Sequence, residues 1–126
     1  MRRIFLCLAS IFSLSSGFAN AEPLNGEQIR DSVGGRKVTL ITLGFKFPLF
    51  YAANGSVTGD GSAVGLSRYF NPQETGNWWV QGDKLCQKFP TWYKGKTWCF
   101  DLEDAGKNRL NWRRDDGFTG KAVISG

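Results

Sequence analysis

The sequence predicts an all-β fold: a small antiparallel up-and-down barrel or curled sheet of about eight strands, with one short N-terminal helix and one disulfide. Two features predict the strands. Apolar and polar residues alternate with a period of two over much of the chain, and turn signals such as Asn54-Gly55 and Gly82-Asp83 recur at hairpin spacing. The cysteine pair Cys86 and Cys99 predicts the disulfide. Closure of the sheet would also remove exposed edges.

The first 21 residues predict a secretory signal. Arg2-Arg3 supplies a positive start, residues 4–12 form an apolar run too short to span a bilayer, and Ala19-Asn20-Ala21 matches the A-x-A cleavage pattern. We expect cleavage after Ala21 and a periplasmic or secreted product. Residues 22–126 are then one domain.

Charge and composition limit the classes of function. Loss of Arg2 and Arg3 with the signal lowers the formal charge from +5 to +3, which favours weak contact with anionic surfaces and does not indicate a nucleic-acid partner. The chain contains no histidine, so triads built on histidine and histidine-ligated zinc sites are excluded. We expect a protein that is not an enzyme and that holds no cofactor or metal.

The cysteines indicate an oxidising compartment. Cys7 lies in the signal, and residues 4–6 lack the small residue expected before a lipidated cysteine, so we expect a cleaved, unlipidated chain that does not span a membrane. Two cysteines in an exported domain favour one disulfide between Cys86 and Cys99. A reactive thiol or a metal pair is the alternative. The absence of a C-x-x-C motif disfavours a thioredoxin-like redox role.

Residues 24–35 predict the short helix. Asn25 is a favourable N-cap, and Gln28 lies three residues later, as in a capping box. Leu24 and Ile29 occupy the positions of a hydrophobic staple, and Gly34-Gly35 predicts the end. Because its apolar edge is narrow, we expect this helix to close one end of a larger element.

The predicted strands cover residues 37–43, 47–52, 56–66, 77–81, 84–89, 96–102, 109–114 and 118–124, with residues 67–75 as a connection. A two-residue turn at Gly82-Asp83 would set Trp79 opposite Cys86. Direct pairing of Cys86 with Cys99 would then place the apolar side chains on one face and the disulfide on the other. The shared face comprises Trp78, Val80, Leu85, Gln87, Phe89, Trp98, Phe100 and Leu102.

The last hairpin carries its own register prediction. A three-residue turn at Asp115-Asp116-Gly117 places Trp112 opposite Gly120 and Leu110 opposite Ala122. An aromatic ring that covers a strand glycine stabilises such a pair.

Two groups of aromatic residues are candidates for binding. Trp92, Tyr93 and Lys94 lie in a loop rich in lysine, and together with Trp79 they predict an interaction surface. The alternative is that Trp92 folds back over the end of the barrel. The second group, predicted to line a cavity if one exists, comprises Phe47, Phe50, Trp78, Trp98 and Trp112; packing in a filled core is the alternative.

A group of carboxylates near one strand end, Asp101, Glu103 and Asp104, is the remaining candidate for chemistry. Paired carboxylates can act as general acid and base. A solvated turn is the favoured interpretation, because the sequence shows no pocket around them.

The order of motifs resembles a known family. It comprises an L-x-G-x-x-I opening at residues 24–29, a G-x-W-x-V strand at residues 76–80, G-D-x-L-C at residues 82–86 and a second cysteine within W-C-F at residues 98–100. This resembles a family of small exported proteobacterial proteins catalogued as a domain of unknown function. The architecture is also similar to that of calycins, some of which are periplasmic inhibitors of secreted proteases. The resemblance implies a periplasmic barrel and assigns no activity.

These observations favour an exported, monomeric, non-catalytic binding or interaction protein. Its partner would be a small apolar ligand or an envelope protein. The alternatives are a periplasmic protease inhibitor of the small calycin type and an enzyme that uses carboxylates without histidine.

Overall fold

The computed structural model describes residues 22–61 and 73–126. The predicted signal and its cleavage site after Ala21 lie outside these residues, as do residues 62–72 of the predicted third strand and the connection after it. Within the described ranges the secondary structure consists of one α-helix, one 3-10 helix and nine strands. No helix in these ranges has the length and apolar character needed to cross a membrane.

The elements follow one another along the chain with short connections. The strands are β1 Glu22–Pro23, β2 Arg36–Thr42, β3 Phe45–Tyr51, β4 Ser56–Asp60, β5 Gln73–Gln81, β6 Lys84–Lys88, β7 Trp98–Asp104, β8 Arg109–Arg114 and β9 Thr119–Ser125. Helix α1 covers Gly26–Val33, and the 3-10 helix covers Trp92–Gly95. From β2 to β9 each strand pairs antiparallel with the next, and β9 pairs with β2. The predicted barrel is therefore confirmed as a closed one.

The predicted register of the central strands is confirmed. Trp79 faces Cys86 across the β5–β6 hairpin, and Cys86 faces Cys99 across β6 and β7. The disulfide joins these two cysteines with a Cα–Cα distance of 4.0 Å. Their strand neighbours Leu85 and Gln87 are buried inside the barrel, so alternation places the disulfide on the outer wall.

The last hairpin also has the predicted register. Trp112 pairs with Gly120 and Leu110 with Ala122. A Cβ added at Gly120 would lie 2.4 Å from the indole of Trp112, so only glycine admits this ring. The indole Nε1 donates to the carbonyl of Lys121 at 2.9 Å. Packing against Gly120 and the hydrogen bond from Nε1 together fix the Trp112 ring inside the barrel.

Helix α1 closes one end of the barrel. The predicted capping box is present, because the Asn25 side chain accepts from the backbone N–H of Gln28 and the Gln28 side chain accepts from that of Asn25. Ile29 and Val33 are fully buried. The backbone N–H of Gly26 also donates to Asp83 in the β5–β6 turn at 2.9 Å. We call this end, which includes the β3–β4, β5–β6 and β7–β8 turns, the helix end.

Several strand boundaries differ from the prediction, among them the starts of β5 and β7. Strand β5 begins at Gln73, whereas the sequence placed its start at residue 77, because the polar run before Gly76 resembled a connection. Glu74 in this run is buried, and its carboxylate bonds to the loop beyond β6. Strand β7 begins at Trp98, two residues later than predicted, because the chain first completes the 3-10 helix.

Candidate functional site

The end opposite the helix is formed by three described connections. We call it the loop end, and it comprises the β2–β3 turn at Leu43-Gly44, the β6–β7 connection at residues 89–97 and the β8–β9 turn at residues 115–118. The connection from β4 to β5 also leaves from this end, but residues 62–72 are not described. The predicted Trp92 loop belongs to the loop end.

The β2–β3 turn presents a leucine to solvent. Leu43 and Gly44 both have positive φ, of 50° and 81°, between the paired residues Thr42 and Phe45. A two-residue hairpin turn with two positive φ values favours Asn-Gly or Asp-Gly, because leucine is strained in this conformation. Nevertheless Leu43 is 79% exposed, and Phe45 beside it is 55% exposed. The turn therefore carries an apolar residue where both backbone and solvent favour a polar one.

The β6–β7 connection turns sharply at the predicted loop. Tyr93, Lys94 and Gly95 have φ of 57°, 58° and 71°, three successive left-handed residues. Backbone hydrogen bonds hold this shape, from Lys94 to the carbonyl of Thr91 and from Lys96 to that of Tyr93. Conformations of this kind are costly for residues other than glycine and concentrate at functional sites. The turn leaves Tyr93 half exposed.

The expectation that Trp92 is exposed is wrong. Its indole is only 6% exposed and lies between Phe47 and Phe89, with ring centroids 5.4 and 4.8 Å away. A Cβ at Gly59 would lie 2.6 Å from the indole, so this glycine leaves the space that the ring occupies. Trp92 is thus packed across the loop end of the barrel, as the alternative interpretation has it.

A buried carboxylate holds this connection in place. Glu74 accepts hydrogen bonds from the backbone N–H groups of Thr91 at 2.9 Å and Trp92 at 2.8 Å, and from the Thr91 hydroxyl. Burial alone would raise the pKa of Glu74, but these hydrogen bonds outweigh it, so its pKa lies below the usual value. The ionised carboxylate therefore positions the loop that bears Trp92 and Tyr93.

Cations and aromatic rings are stacked beside Tyr93. The guanidinium of Arg114 lies 4.3 Å from the ring centroid of Trp98, 5.1 Å from that of Phe118 and 5.8 Å from that of Tyr93. The ammonium of Lys96 lies 4.5 Å from the Trp98 centroid. Cations near aromatic faces are attracted by the ring quadrupole. The cluster therefore fixes Tyr93 and Phe118 at the surface, where both remain substantially exposed.

Asp116 orients the cation of this cluster. Its carboxylate accepts two hydrogen bonds from Arg114, at 3.0 and 2.8 Å. The hydrogen bond with Arg114 is the main reason that the pKa of Asp116 falls to about 2, and the same bond raises the pKa of Arg114. Both pKa shifts favour the charged forms, so the pair acts as an ionised support for the cluster near neutral pH.

The structure does not bring all the predicted interaction residues together. Tyr93 and Lys94 are exposed at the loop end. Trp79 lies on the outer wall near the helix end, where its Nε1 donates to Gln81 at 3.2 Å. Strand pairing separates it from the Trp92 loop along the barrel axis. The expected surface therefore reduces to Tyr93 and Lys94 with neighbours that the sequence did not single out.

The residues predicted to line a cavity do not share one. Trp78 packs near the helix end, where Nε1 donates to the carbonyl of Ala52 at 2.8 Å, whereas Trp112 lies in the barrel interior. Phe47 and Trp98 are partly buried at the loop end. The prediction is wrong for Phe50, which points to the outer wall and is 47% exposed because alternation directs Leu49 and Tyr51 inward.

The barrel interior is filled by side chains. The described residues leave a void of about 20 Å³ between Tyr51, Leu85, Phe100 and Trp112. Ligand pockets for drug-sized molecules measure roughly 300–1,000 Å³. The Tyr51 hydroxyl donates to Gln87 Oε1 at 2.6 Å inside the barrel, and burial raises the pKa of Tyr51. The interior offers no room for a small apolar ligand.

The carboxylates considered for chemistry lie on the outer wall. Asp101 forms an ion pair with Lys84 at 2.9 Å, and Asn111 donates to Glu103 at 3.5 Å. Asp104 accepts from the backbone N–H of Gly106 in the following turn. Each of the three therefore has a separate structural partner. Among the described residues, no group of three metal-binding side chains comes together.

Sequence reasoning missed Leu43, Glu74, Arg114 and Phe118 as parts of this end. Leu43 resembled the last core residue of a strand, and Glu74 resembled part of a polar connection. Arg114 and Phe118 flank the predicted Asp-Asp-Gly turn, and this proximity was the available signal.

No family model matches the chain, and neither the curated proteins nor the solved structures contain a match. The resemblance to the exported family stays a prediction.

Proposed function

We propose that this protein is an exported, non-catalytic binding protein that acts through its loop end. The observation that carries the proposal is the concentration of exposed apolar side chains there. In the described residues the large hydrophobic side chains with substantial exposure are Leu43, Phe45, Phe50, Tyr93, Phe118 and Val123. Three of these six, Leu43, Tyr93 and Phe118, belong to the loop end on three separate connections, and Phe45 lies next to the first of them. Exposed apolar patches of this kind mark interaction sites.

The way this end is built supports the same proposal. Tyr93 is held by the Arg114 cluster and by a loop anchored to Glu74, so its ring is presented in a fixed position. A contact residue that is ordered before binding loses less conformational entropy on association. The disulfide adds a covalent link between the strands on either side of this loop.

The filled interior favours surface binding over transport of a small ligand. A carrier needs a cavity that encloses its cargo, and the described interior holds a void of about 20 Å³. Protease inhibition through the same loops would be one form of surface binding, and no contact in the structure favours it over others.

The test is capture of envelope components on the immobilised exported protein. The bound proteins, lipids and small molecules are read by mass spectrometry for the wild type and for Tyr93→Ala with Phe118→Ala. The matched control is Phe50→Ala with Val123→Ala, which removes exposed apolar groups from the wall. We expect the loop-end variant to lose a partner that the control retains. Equal capture by both variants, or an enclosed small molecule at one per chain, would contradict the proposal.

A further inference from the structure

We propose that the loop end docks onto an anionic phospholipid surface, with Leu43 and Phe45 entering the headgroup region. This inference rests on the proposed function and names the partner of the same site. Lys46, next to Phe45, and Lys94 and Lys96, on the β6–β7 connection, would face lipid phosphates. The protein would then bind a membrane from one side, as a peripheral protein.

Leu43 is the strongest reason for this proposal. It is the most exposed large hydrophobic residue described, at 79%, and it occupies the first position of a turn whose φ of 50° disfavours leucine. Folding alone therefore gives no advantage to leucine at this position over asparagine. Transfer of the side chain from water into the apolar boundary of a bilayer would supply one, since burial of a leucine is favourable.

The other exposed residues extend the same surface. Phe45 follows the turn at 55% exposure, Tyr93 is 51% exposed on the β6–β7 connection, and Phe118 is 39% exposed on the β8–β9 turn. Aromatic side chains of this kind are enriched at the interface between membrane and water. These residues stand on the tips of separate connections around one end of a closed barrel.

Charge at this end favours an anionic surface. Lys46, Lys94 and Lys96 have no carboxylate within ion-pair distance among the described residues, where the ion pairs are Lys84–Asp101 and Arg114–Asp116. Lysines close to an anionic membrane are attracted by its negative surface potential.

The carboxylates of this end have partners within the protein. Asp116 is paired with Arg114, Asp115 accepts from the backbone N–H of Cys99, and Glu74 faces the buried side of the loop. Asp60 accepts from the Gln73 side chain at the rim. Asp115 and Asp116 are exposed on the β8–β9 turn, but each is bonded within the protein, whereas the three lysines have no carboxylate partner among the described residues.

The test is co-sedimentation of the exported protein with vesicles, after sequencing shows that it begins at Glu22. Vesicles contain either phosphatidylglycerol mixed with phosphatidylethanolamine or phosphatidylcholine alone. We expect binding to the anionic vesicles at least tenfold tighter than to the neutral ones. Leu43→Asn should weaken binding at least fivefold while the melting temperature stays equal or rises, because asparagine suits the turn. Lys94→Glu with Lys96→Glu should also weaken binding, whereas Phe50→Ala should not.

Three outcomes would overturn the lipid proposal. The first is no binding to anionic vesicles, and the second is binding that Leu43→Asn leaves unchanged. The third is loop-end-dependent capture of an envelope protein by a chain that does not sediment with vesicles. This last result would leave the proposed function in place and replace the lipid by a protein partner. Failure of both vesicle binding and loop-end-dependent capture would reject both proposals.

Discussion

At the scale of single residues, Trp92 and Tyr93 are adjacent in sequence but have opposite environments. The Trp92 ring is packed against Phe47 and Phe89, and the Tyr93 ring is half exposed beside Arg114. The sequence alone does not tell which of the two rings is buried, because each belongs to an aromatic residue in a lysine-rich loop. The left-handed backbone at Tyr93 and the space beside Gly59 decide which ring turns inward.

We expect Trp92→Ala to lower the free energy of unfolding by about 3–5 kcal/mol, because it removes a buried ring and leaves a cavity. Tyr93→Ala is the matched control and should change stability by less than about 0.5 kcal/mol, as exposed substitutions usually do. Urea denaturation followed by tryptophan fluorescence and circular dichroism measures both. Equal effects of the two substitutions would show that Trp92 does not close the barrel.

Glu74 should make the stability of the loop end depend on pH. Its pKa is lower in the folded protein than in the unfolded chain, so its stabilising effect is present above the unfolded value and is lost as the pH falls through the folded value. Glu74→Gln should lower the free energy of unfolding by about 1–3 kcal/mol at pH 7, the range for buried groups that lose a charged hydrogen-bond acceptor.

The measurement for Glu74 is urea denaturation of the wild type and Glu74→Gln at neutral pH and at an acidic pH below the range in which carboxylates titrate. The difference between the two proteins should shrink at the acidic pH, because the wild-type carboxylate is then protonated. Glu27→Gln, which changes an exposed carboxylate on α1, is the control. A difference that stays constant with pH would contradict the role of the ionised form.

At the scale of elements, the hairpin registers were predictable and the connections were not. The turn at Gly82-Asp83 and the pairing of Cys86 with Cys99 can be predicted from residues that are close in sequence. The alternation of side chains along each strand then assigns the neighbouring residues to the inner or the outer face of the barrel. The path of the β6–β7 connection depends on Glu74, which lies on a different strand. Contacts between distant segments of this kind leave no periodic pattern in the sequence. The exposed Leu43 could not be told from a core residue, because it continues the apolar run of β2 and its turn has no Asn-Gly or Asp-Gly signal.

The disulfide should stabilise the β6–β7 pair by closing a loop with a sequence separation of 13 residues. In the chain-entropy model this is worth about 3 kcal/mol. Replacing both cysteines by alanine should therefore lower the free energy of unfolding by about this amount. Adding a reductant to the wild type should have a similar effect and should not alter the double variant. Stoichiometric thiol labelling of Cys86 and Cys99 in the native protein would instead contradict the disulfide.

At the scale of the whole molecule, the two ends of the barrel are closed in different ways. Ile29 and Val33 of α1 fill the helix end and leave a polar helix surface outside, whereas Trp92 fills the loop end and leaves apolar tips outside. The sequence predicted the eight strands of the barrel and the plugging helix, but not the two-residue β1. It left closure of the barrel open, because closure depends on pairing of β2 with β9, from opposite ends of the domain. This difference between the two ends is the reason that we propose binding at the loop end.

The central claim is that the protein meets its partner through the loop end. Site-specific photo-crosslinking in envelope preparations tests it most directly, with a crosslinking residue placed in turn at Tyr93, at Phe50 on the wall and at Ser32 on α1. We predict adducts from Tyr93 that are absent from the other two positions, including adducts to phospholipid. Adducts from Ser32 or Phe50 with none from Tyr93 would contradict the account.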